Sequence, residues 1–210
     1  APGLIDIVQN GKRIPVLAQT GKMGLMFILD RLTGKPVFGV EERPVPKSDV
    51  PTEQTSPTQP FPVKPPPLAR TTFKSEDIVT ENDTTPEHAK ACRELMERSG
   101  GFYNQGLYTP WLYRAEGAPP RSTIIFPGSV GGTNWGGTAS DPRSGYVYAF
   151  TQNVAFIGWM QKMPADYVDP LTRERSGVPY DRGSESGPGP YQQFTARATG
   201  PDGRPVQGGS

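Results

Sequence analysis

Gln19-Thr20-Gly21-Lys22-Met23-Gly24-Leu25-Met26-Phe27-Ile28-Leu29-Asp30-Arg31-Leu32-Thr33-Gly34-Lys35-Pro36 is the stretch that decides the fold of this 210-residue chain. Gly24 to Leu29 is a continuous apolar run of strand length. Ile14-Pro15-Val16-Leu17-Ala18 precedes it as a short strand, with the polar turn Gln19-Thr20-Gly21-Lys22 between the two. After it, Asp30 to Gly34 predicts a tight turn: an Asp carboxylate accepts from backbone N–H groups two residues on, and Gly tolerates a positive φ. Pro36-Val37-Phe38-Gly39-Val40 is the expected next strand.

The same punctuation returns at Asp141-Pro142-Arg143-Ser144-Gly145, again Asp, any, any, Thr or Ser, Gly. It is expected to lead into the strand Tyr146-Val147-Tyr148-Ala149-Phe150, with Ala155-Phe156-Ile157-Gly158-Trp159 as another. Upstream, Ser122 to Phe126 is a strand and Pro127 to Gly132 a loop. Repeated strand–turn–strand units of this kind favour a propeller over a sandwich. The fold class is therefore all-β, with blade strands expected over 1–40 and 122–160.

Two segments interrupt the β pattern. From Glu41 to Phe73 the chain carries Pro44, Pro46, Pro51, Pro57, Pro60, Pro62, Pro65, Pro66 and Pro67, which rule out helix and central strand, so 41–84 is expected as a Pro-rich loop. Phe61, Val63 and Leu68 are its apolar anchors. Loops this long are usually functional or covering segments. Residues 85–98 form the one inserted helix: Thr85 caps it, Pro86 suits the first helical position, and Glu87 complements the positive end of the dipole. Ala91, Cys92, Leu95 and Met96 fall on one stripe, which makes Cys92 an inert core residue. His88, beside Glu87 and Lys90, reads as solvated surface. Residues 161–210 form a turn-rich extension with almost no apolar run after Ser184.

Composition narrows the function classes. Gly and Pro number 25 each, and the apolar fraction is 34%, as in a β protein with long loops. The 22 basic and 21 acidic residues are well mixed, for a net charge of +1. There is no basic block to track phosphates, so no nucleic acid is expected as a partner. The apolar runs are too short to span a bilayer. One cysteine and one histidine leave no internal disulfide and no Cys- or His-rich metal cluster.

The long stretch quoted first resembles the quinoprotein dehydrogenases related to membrane glucose dehydrogenase. Val40 to Pro46, Ser56 to Pro62, Gly131-Gly132-Thr133-Asn134-Trp135-Gly136-Gly137 and Tyr180 to Ser184 resemble the same family, in the right order along the chain. The resemblance implies a section of an eight-bladed propeller holding pyrroloquinoline quinone (PQQ) on its axis beside a divalent ion, usually calcium. In that family an aspartate takes the proton of an alcohol, polyol or sugar hydroxyl while hydride passes to the quinone. Lys22 matches the catalytic and cofactor-binding basic residue that hydrogen-bonds the quinone carbonyl, and Asn134 and Trp135 match residues at the edge of the cofactor. A fixed ammonium suits that position, because it stabilises negative charge that develops only in the transition state.

The same resemblance implies what is missing. The family's base lies in a Trp-Asp pair before Ala1, and Asp6 does not fit that motif. The metal ligands belong to earlier blades and the closing blades follow Ser210, so no metal ligand is assigned here. The expectation is a segment inactive by itself. It needs the remainder of the propeller, belongs to a periplasmic enzyme, and passes electrons to an acceptor such as a quinone or cytochrome c. The absence of a signal peptide is uninformative for such a piece. The alternative reading is a non-catalytic propeller-like module whose strands and Pro-rich loop bind a partner protein.

Overall fold

The computed structural model describes residues 2–51, 53–134, 136–162, 166 and the backbone of 180–184. Among the described residues the regular structure is mostly strands, with one α-helix. The first sheet has the order β1 (Gly3–Gln9), β2 (Lys12–Thr20), β3 (Met26–Asp30), all antiparallel. Side chains alternate along β2, so Val16, Ala18 and Thr20 are buried and Gln19 is exposed. On the sheet's surface Asp6 accepts from Arg13 at 2.9 Å and from Arg31 at 2.6 Å, linking β1 to β2 and to the turn after β3.

That turn forms as its residues dictate. Asp30 Oδ1 accepts from the backbone N–H groups of Leu32 (2.7 Å) and Thr33 (3.1 Å), and Gly34, at φ 72°, donates to the Asp30 carbonyl. At the second copy, Asp141 Oδ1 accepts from Arg143 N–H, Asp141 Oδ2 from the Ser144 hydroxyl, and Gly145 sits at φ 74°. The Arg143 N–H, then the Ser144 hydroxyl, hold the Asp141 carboxyl below its ordinary pKa. This second turn joins β9 (Thr138–Asp141) to β10 (Tyr146–Ala149). β9 is polar rather than apolar, and it docks on β1, where the Ser140 hydroxyl donates to the Leu4 carbonyl at 2.9 Å. Tyr146, Tyr148 and Phe150 are exposed along β10.

The strand expected over Pro36 to Val40 is not continuous. Pro36 bridges Leu29 and Val37 donates to Ile28, but Gly39, at φ 83°, breaks the extended run. The next strand is β4 (Val40–Pro44), which pairs with β5 (Thr58–Pro62) inside the segment expected as loop. Prolines are tolerated there because a two-stranded ribbon consists only of edges. The linking segment is tied down as well. Asp49 accepts from Tyr113 N–H (2.7 Å) and pairs with Arg121 (2.9 Å), Val50 is buried, and the Ser48 hydroxyl bonds Glu53.

A short 3-10 turn (Ser75–Asp77) leads to the helix α1 (Pro86–Arg98), whose cap Thr85 accepts from His88 N–H. Gly101 N–H bonds Met96 O and Gly100 N–H bonds Glu97 O, the Schellman closure, with both glycines at positive φ. The buried stripe is Ala89 and Leu95, with Ala91, Cys92 and Met96 half-buried beside it. His88 is not free surface: it is half-buried, and its Nδ1 lies 2.9 Å from the Thr84 hydroxyl.

The largest sheet is mixed. β8 (Ser122–Ile125) lies between β6 (Phe102–Tyr103), parallel to it, and β11 (Phe156–Lys162), antiparallel; β7 (Tyr113–Arg114) and β12 (Tyr180–Ser184) flank β11. Phe73, Ile124 and Phe126 form its core, with Phe73 stacked on Phe126 at 6.4 Å and edge-on to Phe102 at 5.7 Å. Burial of each such ring contributes on the order of 2 kcal/mol. Among the described residues no helix is long and apolar enough to cross a membrane.

Two outcomes check this architecture. A Cβ at Gly100 would lie 1.7 Å from the Pro120 carbonyl oxygen, whereas at Gly11, also at positive φ, it meets nothing within 4 Å. Gly11→Ala should therefore cost about 1 kcal/mol of backbone strain, and Gly100→Ala several times as much by denaturant unfolding. Burial raises the Cys92 thiol pKa above its ordinary value, the Arg93 charge opposing it. Less thiolate forms at pH 8, so iodoacetamide should alkylate Cys92 more slowly than free cysteine.

Candidate functional site

Lys22 lies in the turn between β2 and β3, and the backbone of that turn is held on every side. Gly24 N–H donates to Gly21 O at 2.9 Å and Gly21 N–H to Leu25 O at 3.1 Å, closing the turn on itself. From the loop after β8, Gly132 N–H donates to Lys22 O (2.8 Å) and the Thr133 hydroxyl to Gly21 O (2.5 Å). Leu68 N–H donates to Gly24 O (2.8 Å) from the end of the Pro-rich segment. The loop is fixed in turn by Gln152, whose backbone and side-chain amides donate to Gly132 O and Gly131 O.

The closeness of these two segments explains their glycines. A Cβ on Gly131 would fall 2.8 Å from Lys22 Cγ and 3.0 Å from its Cα, and one on Gly132 would fall 2.6 Å from the Ala69 methyl. The bare backbone at 131 lets the Lys22 stem lie against the loop, and that at 132 makes room for Ala69 and Pro127. The stem is thereby aimed along a wall while its head stays accessible, the usual arrangement of a long amphipathic side chain. The ammonium makes one long contact, to Ser129 O at 3.4 Å, and among the described residues no carboxylate pairs with it.

Lys22 opens on a cavity of about 450 Å³, within the size range of small-molecule sites. Its walls are largely carbon, with Met23, Val45, Pro46, Tyr108, Phe126 and Pro127 among the lining residues. The hydroxyls of Thr55, Ser56 and Thr109 and the amide of Gln59 supply scattered polarity. Burial, then the Glu42 carboxylate, pushes the Tyr108 phenol above its ordinary pKa.

Asn134 does not line this cavity. It belongs to the loop that clamps Lys22, is half-buried, and donates from Nδ2 to Val130 O at 2.7 Å while its carbonyl accepts from Gly137 N–H. The structure thus joins Lys22 and Asn134 through one loop but not in one pocket. Trp135 lies outside the described residues. Among the described residues no group of three or more His, Cys, Asp or Glu side chains is placed to hold a metal ion. The sequence reading missed Tyr108 and the walls from Val45, Pro46, Thr55 and Ser56. Val45, Pro46 and Ser56 stood within the stretches that resemble the family, without a role assigned to them, and Gly106 two residues before Tyr108 was the signal at the tyrosine.

Among the described residues the Lys22 ammonium has no carboxylate partner, and its turn is fixed by backbone hydrogen bonds. Comparison with known proteins identifies the family. The PQQ family described as "Glucose/ethanol/alcohol dehydrogenase, beta-propeller domain" matches residues 1–209. A probable quinate dehydrogenase (quinone) of Xanthomonas campestris pv. juglandis is 36% identical over 167 residues, 79% of this chain and 19% of its own. The quinate/shikimate dehydrogenase (quinone) of Acinetobacter baylyi is 35% identical, covering 76% of this chain and 18% of its own. The quinoprotein glucose dehydrogenase of Gluconobacter oxydans is 29% identical, covering 83% and 20%. The chain spans about a fifth of the length of these relatives, and no solved structure matches it. On this evidence the chain belongs to the β-propeller domain family of PQQ-dependent dehydrogenases.

Proposed function

We propose that the chain is a section of an eight-bladed, periplasmic quinoprotein dehydrogenase that oxidises a hydroxyl of an alcohol, polyol or sugar and passes the electrons to a quinone or cytochrome c. The observation that carries this reading is Lys22: a hydrogen-bonded turn presents to a largely carbon-walled cavity an ammonium that no carboxylate among the described residues pairs with. The named activities of the relatives, on quinate, shikimate and glucose, all concern hydroxylated substrates.

When bound, PQQ supplies the hydride acceptor. Lys22 would hold it by donating to one of its oxygens, and three N–H donors on a flexible tip allow that. Met23, Phe126 and Pro127 line the same cavity as the exposed Lys22 side chain. Asn134 acts one step back: its bond to Val130 O fixes the loop whose Gly132 and Thr133 grip the turn. Calcium would be bound by residues outside this chain.

Lys22→Ala in the whole enzyme is expected to lower kcat by about 10²–10³-fold, the typical loss for one preorganised donor, with the melting temperature little changed. An unchanged kcat would remove Lys22 from the chemistry. The isolated 210-residue chain, given PQQ and calcium, should not reduce a dye with glucose or quinate; robust turnover would overturn the reading of the chain as one section of the catalytic unit.

A further inference from the structure

Tyr108 stands at φ 62°, in the left-handed region that a bulky L residue enters only when its surroundings impose it. The surroundings do. Asn104 Oδ1 accepts from Phe73 N–H (3.1 Å) and Gly106 N–H (2.9 Å), while its Nδ2 donates to Ile124 O (2.8 Å). At the other end, buried Thr109 donates its hydroxyl to Gly106 O (2.6 Å) and accepts from Gln105 N–H (3.0 Å). The turn is anchored in the core by Leu107, which is buried. The strained position is spent on placing one ring.

That ring is half-buried, borders the Lys22 cavity, and meets Phe61 of β5 edge-on at 5.5 Å. Arg43 of β4 lies over the Phe61 ring at 5.1 Å. Tyr108 is therefore fixed from the protein side as well as from its backbone, and Pro46, Phe126 and Pro127 line the same cavity. We infer that Tyr108 is a specificity-determining residue, a platform on which the C–H face of a cyclic polyol rests, so that hydroxylated six-membered rings are preferred over open-chain polyols. The chemistry is general: such a ring carries its hydroxyls around the rim and its C–H groups on two faces, and the electron-rich face of an aromatic attracts the latter. An open-chain polyol has no comparable apolar face.

This inference rests on the reading of the chain as part of a quinoprotein dehydrogenase, and its test separates the two. In the whole enzyme with PQQ and calcium, kcat/KM would be measured for quinate and for glycerol with Tyr108, Tyr108→Asn and Tyr108→Phe. Asn tolerates the left-handed backbone, so it removes the ring without collapsing the turn, which an unaltered melting temperature would verify. The ratio of kcat/KM for quinate to that for glycerol should fall about tenfold in Tyr108→Asn, a usual magnitude for one aromatic contact, through KM rather than kcat, and recover in Tyr108→Phe. A ratio that stays within about twofold in Tyr108→Asn overturns the inference, as does a wild-type enzyme that oxidises glycerol but not quinate; both leave the dehydrogenase reading intact. A wild-type enzyme inactive on every hydroxylated substrate overturns both.

Discussion

The site depends on one backbone contact, the seating of the Lys22 turn against Gly131 and Gly132. Two hydrogen bonds, Gly132 N–H to Lys22 O and the Thr133 hydroxyl to Gly21 O, draw the segments together. Their approach leaves no room for a Cβ on Gly131, while Ala69 and Pro127 crowd Gly132. Everything else follows from that closeness. It joins the first sheet to the loop leaving the mixed sheet and lays the lysine stem along that loop, while among the described residues no carboxylate pairs with its head. Under the proposed function that placement is what matters, since electrostatic catalysis requires a positioned charge.

The β character and the local turns were legible because they rest on short-range chemistry. Asp30 and Asp141 make the same bonds to the residues that follow them, and Gly34 and Gly145 adopt the same positive φ. The helix was equally legible, since Thr85, Pro86 and Gly100 act within a few residues of themselves. Less was visible wherever a residue's role depends on a partner far along the chain. Prolines at 44, 60 and 62 argue against a strand, yet two proline-bearing edges can pair with each other. Gly39, which ends the hairpin extension early, looked like an ordinary strand glycine.

For the site, the division is similar. The family pattern singled out Lys22 and Asn134, and the fold connects them through the loop that one belongs to and the other is gripped by. Their roles toward the cofactor remain part of the proposal. Tyr108 was invisible because nothing in Gly106-Leu107-Tyr108-Thr109 announces a left-handed backbone at the tyrosine; the bonds that impose it come from Asn104 and Thr109 and from contacts at Phe73 and Ile124. The cavity's far wall was hidden for another reason. Val45 and Pro46 look like linker until Asp49 is seen pinned to Tyr113 and Arg121.

The stapled ribbon has an evolutionary consequence. β4 and β5 close the Pro-rich excursion at its neck, so the segment between Pro44 and Thr58 starts and finishes at the same place whatever its length. Doubling such an excursion adds only about 0.6 kcal/mol of closure entropy. One face of the chamber can therefore be lengthened, trimmed or rewritten while the strands that grip the lysine turn stay as they are.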